Sequence, residues 1–268
     1  MIMKNLFILL TVLLLCACND LFEYHPYDGR ISGETGINAK NTARIENTCA
    51  GKTHISFIMT GDTQRRYDET EDFVKSVNRR DDIDFVIHGG DISDFGLTKE
   101  FMWMRDIMNG LKIPYVVLIG NHDCLANGKE IYRGIFGEEN FSFLAGDCKF
   151  VCLNTNSLEY DYSHPVPDFT FIENSIGERR AGHERTVIAV HAPPLSEQFD
   201  NNVSVIFQHF IKRFPALQFC LNAHEHGISV KDRFDDGVIY YGSPSIEKRQ
   251  YLLFTLTPEG YDYEVVRF

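Results

Sequence analysis

Tyr115-Val116-Val117-Leu118-Ile119-Gly120-Asn121-His122-Asp123 joins an apolar, β-rich run to three polar side chains through a single glycine. Five consecutive apolar residues stopped by Gly read as a buried strand, and the polar triplet then falls on the turn at its carboxyl end. That triplet offers an amide oxygen, a titratable nitrogen and a carboxylate within one turn. Taken alone it is explained as well by an ordinary strand-to-loop turn as by chemistry. The rest of the chain weighs the two.

Two upstream strands end the same way. His54 to Thr60 (HISFIMT) runs into Gly61-Asp62, and Asp84 to His88 (DFVIH) runs into Gly89-Gly90-Asp91. Helical patterns separate them. Asp68 to Arg79 has acids in its first turn, Arg in its last, and Phe73, Val74 and Val77 as its buried stripe. Thr98 to Leu111 carries Phe101, Met104 or Trp103, Ile107 and Met108 on its apolar face. Such strand–helix–strand alternation predicts a parallel sheet of βαβ units, with ligands at the carboxyl ends of its strands. The second half reads as strands over 140–144, 149–154, 185–190, 217–222, 227–234, 238–241, 251–257 and 261–268. Helices are expected over 38–47, 168–180 and 202–214. No repeat and no Pro-, Gly- or Ser-rich linker divides the chain.

The 268 residues suffice for one large α/β domain with a substantial core. A formal net charge of −12 argues against a nucleic-acid partner, which needs a basic footprint. Phosphate substrates stay open, because bound divalent cations can invert the charge inside one cleft.

At the N-terminus Lys4 precedes the apolar run Leu6 to Leu15, too short and one-sided for an ordinary membrane span. The sequence Leu15-Cys16-Ala17-Cys18 that follows resembles the bacterial lipobox. The resemblance implies that residues 1–17 are a signal peptide and that Cys18 is acylated. The chain would then be a lipoprotein of the cell envelope, membrane-anchored and facing the periplasm or the cell surface. A secretory signal cut elsewhere, or an uncleaved anchor, is the alternative. Residues 18–52 read as a tether and edge elements, ahead of a domain spanning 53–268. Cys49, Cys124, Cys148, Cys152 and Cys220 remain in the mature part, an odd count that leaves at least one thiol free. Cys148 and Cys152 would stand about 13 Å apart along one strand, too far to bridge.

Polar residues punctuate the strand ends in a fixed order: Asp62-Thr63-Gln64, Gly90-Asp91-Ile92-Ser93-Asp94, Gly120-Asn121-His122-Asp123, Val190-His191-Ala192 and Ala223-His224-Glu225-His226. This set resembles the calcineurin-like metallophosphoesterase superfamily, with its D-x-H, G-D-x-x-D, G-N-H-[DE], H and G-H-x-H motifs. The resemblance runs from about residue 53 to the end. It implies a four-layer αββα sandwich of two mixed β-sheets flanked by helices. It also implies a hydrolase of phosphate mono- or diesters acting on a small phosphorylated substrate. Residue by residue, it places Asp62, Gln64, Asp91 and His226 around a first divalent metal. Asp91, Asn121, His191 and His224 would surround a second, with Asp91 bridging. His122 would assist the leaving group and Asp94 would orient it. The chemistry agrees: a metal pair can acidify water and neutralise phosphate oxygens, using oxygen and imidazole donors.

Two departures stand out. Gln64 replaces the expected His, as in chains similar to the manganese-dependent ADP-ribose pyrophosphatases. Among Mn²⁺, Fe²⁺, Mg²⁺ and Zn²⁺, this neutral oxygen donor favours Mn²⁺, and a nucleotide pyrophosphatase or diesterase becomes the second reading. Ala223 replaces Gly, and Glu225 adds a carboxylate that either points away or touches substrate. Arg65 and Arg66 either hold a phosphate or leaving group or form a solvated helix entry. His88 is expected to pack beside the sheet end, and Asp123 to hold the turn. Asn154 and Asn156 are ambiguous. Specificity is expected in the loops over 124–139 and 155–170. The rival class, a non-catalytic metal-binding lipoprotein, has against it that His122 and all the second-site residues are present.

Overall fold

The computed structural model describes residues 25, 27–157, 165–178 and 184–268; Cys18 and the signal segment lie outside them. Among the described residues the first regular element is helix α1 (Ile37–Thr48). Then follow β1 (Ile55–Thr60), α2 (Tyr67–Val77), β2 (Phe85–His88), α3 (Thr98–Met108) and β3 (Tyr115–Val117). Helix α4 (Gly128–Ile135) leads to the hairpin β4 (Phe141–Ala145) and β5 (Cys148–Leu153), then α5 (Phe169–Gly177), β6 (Arg185–Val190), α6 (Ser204–Ile211) and β7 (Leu217–Asn222). Four strands close the chain: β8 (Ser229–Asp232), β9 (Ile239–Gly242), β10 (Gln250–Thr257) and β11 (Gly260–Arg267). None of the described helices is long and apolar enough to cross a membrane.

Two mixed sheets result, ordered β11-β10-β1-β2-β3 and β4-β5-β6-β7-β9-β8. Within the first, β1, β2 and β3 run parallel, while β10 and β11 are antiparallel additions. Strand alternation sorts the side chains into layers. Phe57 and Met59 of β1, Phe85 of β2, Phe150 of β5, Phe219 of β7 and Phe254 of β10 meet between the sheets. There Phe57 stacks on Phe85 and Phe254 at 5.2 and 5.3 Å and meets Phe150 edge-on at 5.0 Å. The opposite faces, through Ile58 and Val86 on one sheet and Ile188 and Cys220 on the other, pack under α2–α4 and under α5 and α6. These are the four layers, helix, sheet, sheet, helix. Cys148 and Cys152 both face the inter-sheet core, and the five described cysteines are free and buried.

Helix α1 seals an edge of each sheet. Asn38 donates to Val117 O and accepts from Val117 N, both at 2.9 Å, and Asn41 donates to Tyr115 O at 2.7 Å. Glu46, from the same helix, accepts from Leu144 N at 3.1 Å. These side chains stand in for a neighbouring strand and occupy edge groups that would otherwise be open.

The segment over 124–139, expected as a loop, is half helix: α4 occupies its middle, with Ile131, Tyr132 and Ile135 buried against α3 and the first sheet. Of the alternatives on α3, Met104 is buried and Trp103 exposed. Helix α5 ends at Gly177; Arg179 and Arg180 lie outside the described residues, as do residues 158–164 of the second expected specificity loop.

Candidate metal centre

β1, β2 and β3 of one sheet and β6 and β7 of the other deliver their polar turns to a common edge. One donor atom each from Asp62, Asp91 and His191 lies within 4.8 Å of the others, and all three residues are buried. The backbone is bent to achieve this. Asp62, Gln64, Asp91, His224 and His226 all have left-handed φ, at 50°, 41°, 56°, 67° and 55°. Each such non-glycine costs about 1–3 kcal/mol and persists only where its surroundings hold it. Neighbouring glycines make the room. A Cβ on Gly120 would run into Asp91, and one on Gly90, itself at φ 101°, would lie 2.7 Å from His191 Nδ1.

The hydrogen bonds fix which atoms face the centre. His191 Nδ1 donates to Gly89 O at 2.8 Å, and burial holds the ring below its ordinary pKa, so it is neutral. Its Nε2 therefore presents a lone pair toward Asn121 Oδ1 at 3.0 Å and Asp91 Oδ1 at 3.4 Å. His224 is held the other way round: Nε2 meets Glu197 Oε1 at 2.8 Å, and Nδ1 faces the same Asn121 oxygen at 3.1 Å. His226 Nε2 lies 3.4 Å from Asp62 Oδ1, while the other Asp62 oxygen is buried without a hydrogen bond. Burial, and then Asp62, push the Asp91 carboxyl up to about 7. A His191 lone pair that meets two oxygens, beside an orphaned Asp62 carboxylate oxygen, is what a bound cation resolves. The donors, all oxygen and imidazole nitrogen, fit divalent ions of the Mn, Fe, Mg and Zn group.

His122 stands at the rim. Its backbone N–H donates to Asp91 Oδ1 at 2.9 Å, and its Nδ1 donates to the carbonyl of Asp94 at 2.7 Å, which leaves Nε2 for a ligand. Burial opposes charge on this ring, but Asp91, the Asp94 carbonyl and Asp123 outweigh it and hold the imidazole above its ordinary pKa. Asp94 thus orients His122 by its main chain; its carboxylate is 3.6 Å away and ion-paired to Arg65 Nε at 2.8 Å.

Asp123 holds the turn. It accepts from Ser93 N and Ser93 Oγ at 2.8 Å and from Gly120 N at 2.9 Å. The Glu225 carboxylate is taken up by Arg233 and Lys231 at 2.6 and 3.1 Å, so its contacts are with protein cations on and beside β8. Arg66 pairs with Glu247. Asn154 and Asn156 brace the floor, bonding Glu139 and Ile119 O. Ala223 packs against Gly61 and Gly89, where its single methyl is accommodated.

Glu197 and Glu100 escape the sequence reading. The first orients His224 from a Pro-Pro-Leu-Ser loop that carries no signal. Glu100 is an acid in the first turn of α3, a position that does signal capping, and its Oε2 accepts from Asp94 N, Phe95 N and Leu97 N.

Donors gathered this way at the edge of paired mixed sheets serve hydrolases that handle phosphate through bound cations. The chain belongs to the calcineurin-like phosphoesterase family, whose model matches residues 55–227, and it is a phosphoesterase by that membership. It is 28% identical over 189 residues to a 3′,5′-cyclic-nucleotide phosphodiesterase of Nostoc sp., covering 66% of this chain and 69% of the relative. Its fold is similar to that of a dimetal phosphatase from Danio rerio, with a TM-score of 0.60 at 10% identity, over 80% of this chain and 99% of that one. It is equally similar to GAP50, the anchor in the inner membrane complex of Plasmodium, with a TM-score of 0.60 at 11% identity, over 81% of this chain and 85% of the other. At such identities these two likenesses are of fold alone.

Proposed function

We propose that this chain hydrolyses phosphodiesters with a binuclear divalent centre, and that small nucleotide diesters are its substrates. The observation that carries the reading is the convergence of two imidazoles, His191 through Nε2 and His224 through Nδ1, on one Asn121 oxygen beside Asp91. Asp62, Gln64, Asp91 and His226 would hold one ion, and Asp91, Asn121, His191 and His224 the other. When bound, the ions supply an acidified water and neutralise phosphate charge. His122, with Nδ1 fixed on Asp94 O, holds a proton at Nε2 for the departing oxygen. The 28% identical cyclic-nucleotide phosphodiesterase favours a diester over a monoester. In the same reading residues 1–17 are removed and Cys18 anchors the enzyme in the cell envelope; Cys18→Ser would move it to the soluble fraction.

The test is turnover of bis-p-nitrophenyl phosphate, p-nitrophenyl phosphate and 3′,5′-cyclic AMP with Mn²⁺, Mg²⁺ or Zn²⁺. Diester hydrolysis that His122→Ala reduces by about 10²–10⁴-fold is expected. Stoichiometric metal without turnover of any substrate would overturn the proposal.

A further inference from the structure

Phe95 follows Asp94, whose carbonyl anchors the His122 ring, yet half of its own surface is exposed at 50%. Looseness does not explain the exposure. Buried Glu100 takes the N–H groups of Asp94, Phe95 and Leu97 at 3.2, 2.9 and 3.3 Å, which pins the loop. Arg65 lies over the Phe95 ring, with Cζ 5.4 Å from the centroid, and is steered there by its ion pair to Asp94. Its side chain is 66% exposed. Of the four arginine-over-aromatic pairs among the described residues, this is the one whose guanidinium is also ion-paired to Asp94, and its partly exposed ring and guanidinium leave room for a ligand.

Its chemistry is specific. The phenyl and guanidinium planes both take a flat π-system, and the guanidinium donors take an anion attached to it. On the hydrolase reading His122 lies beside the departing oxygen, and Phe95 is one residue from the carbonyl that holds His122. We propose that Phe95 and Arg65 form the subsite for the leaving side of the substrate, and that this side carries a planar aromatic group, as a nucleoside does. The inference rests on the proposed hydrolase activity.

The experiment is calorimetric binding of AMP and of inorganic phosphate to the Mn²⁺-loaded mature protein. Phe95→Ala is expected to weaken AMP about tenfold while phosphate affinity stays within about twofold, and Phe95→Trp restores AMP. With turnover, Phe95→Ala raises KM for 3′,5′-cyclic AMP more than it lowers kcat. If AMP and phosphate weaken together, or neither changes, the subsite is overturned. Calorimetry needs no turnover, so an inactive wild-type chain would sink the hydrolase reading and still leave the AMP-to-phosphate comparison to decide this one.

Discussion

His88 Nε2 stands 3.0 Å from Thr63 Oγ1, and the same ring accepts the N–H of Gly90 at Nδ1 across 3.2 Å. Because a backbone N–H only donates, Nε2 carries the ring's proton. One neutral imidazole, held down to about 4 by burial, therefore ties the turn of Asp62 and Gln64 to the turn of Asp91. His88→Phe fills the volume but strands Gly90 N, and His88→Gln keeps a donor toward Thr63 alone. Mn²⁺ affinity by calorimetry is expected to fall about 10–100-fold in the first and less in the second. Unchanged affinity in His88→Phe would reduce His88 to a packing residue.

Proton linkage at the centre has a definite sign. Asp91 and Asp123 are each raised from 3.8 to about 7, by burial first and then by Asp62 and Asp91 respectively. A carboxyl with a raised folded pKa binds more protons folded than unfolded, so its stabilising effect is present at low pH and lost as pH climbs from about 4 to about 7. His88 and His191, held below their ordinary values, act in the opposite sense, so the carboxyl contribution is read by difference: Asp123→Asn, which cannot ionise there, should lose less melting temperature between about pH 5 and pH 7 than the wild type does. Thermal melts of both proteins in EDTA measure this; equal changes in the two refute it.

Gln64 sits at φ 41° with its N–H bonded to Asp91 O at 2.9 Å. Histidine tolerates that region better than most residues, so Gln64→His should fold and present an imidazole where an amide now stands. Activation is expected to shift from Mn²⁺ toward Zn²⁺. A metal-activation profile superimposable on the wild type's would show that Gln64 is not a ligand.

The five described cysteines give a simpler test. Burial pushes the thiols of Cys148 and Cys152 upward and that of Cys220 up to about 12. A chain produced from Asn19 onward should react slowly with a thiol reagent at pH 8 while native, and completely in guanidinium. Rapid native reaction of two or more thiols would contradict the packing.

The strands were readable because each is an apolar run that stops at a small or ligand-type residue, glycine after β1 and β2, His191 after β6 and Ala223-His224 after β7, and all four fall close to where those stops put them. Helix α4 was not, because Gly128 and Gly134 dilute a stretch whose burial comes from α3 and the first sheet rather than from propensity. Asp94 illustrates a different gap: sequence reports its carboxylate, but the atom that holds His122 is a carbonyl, which every residue has. Glu197 was hidden for a related reason, since only the fold brings its loop to His224. The left-handed φ of Asp62, Asp91 and His224 suits residue types that tolerate that region, but Asp and His are far more often elsewhere, so residue type alone does not announce it. The pairing of β1 with β10, nearly the whole domain apart in sequence, is a tertiary choice.

Helix α1 lies upstream of the family-matched residues 55–227, yet it covers Tyr115, Val117 and Leu144 where the two sheets end. A fragment cut at residue 53 would keep every residue proposed to hold metal or to act in catalysis while baring two strand rims to other molecules. Such rims are templates for intermolecular strand addition. The cover over both rims is therefore supplied by two asparagines and a glutamate of a helix that contributes none of the proposed site residues.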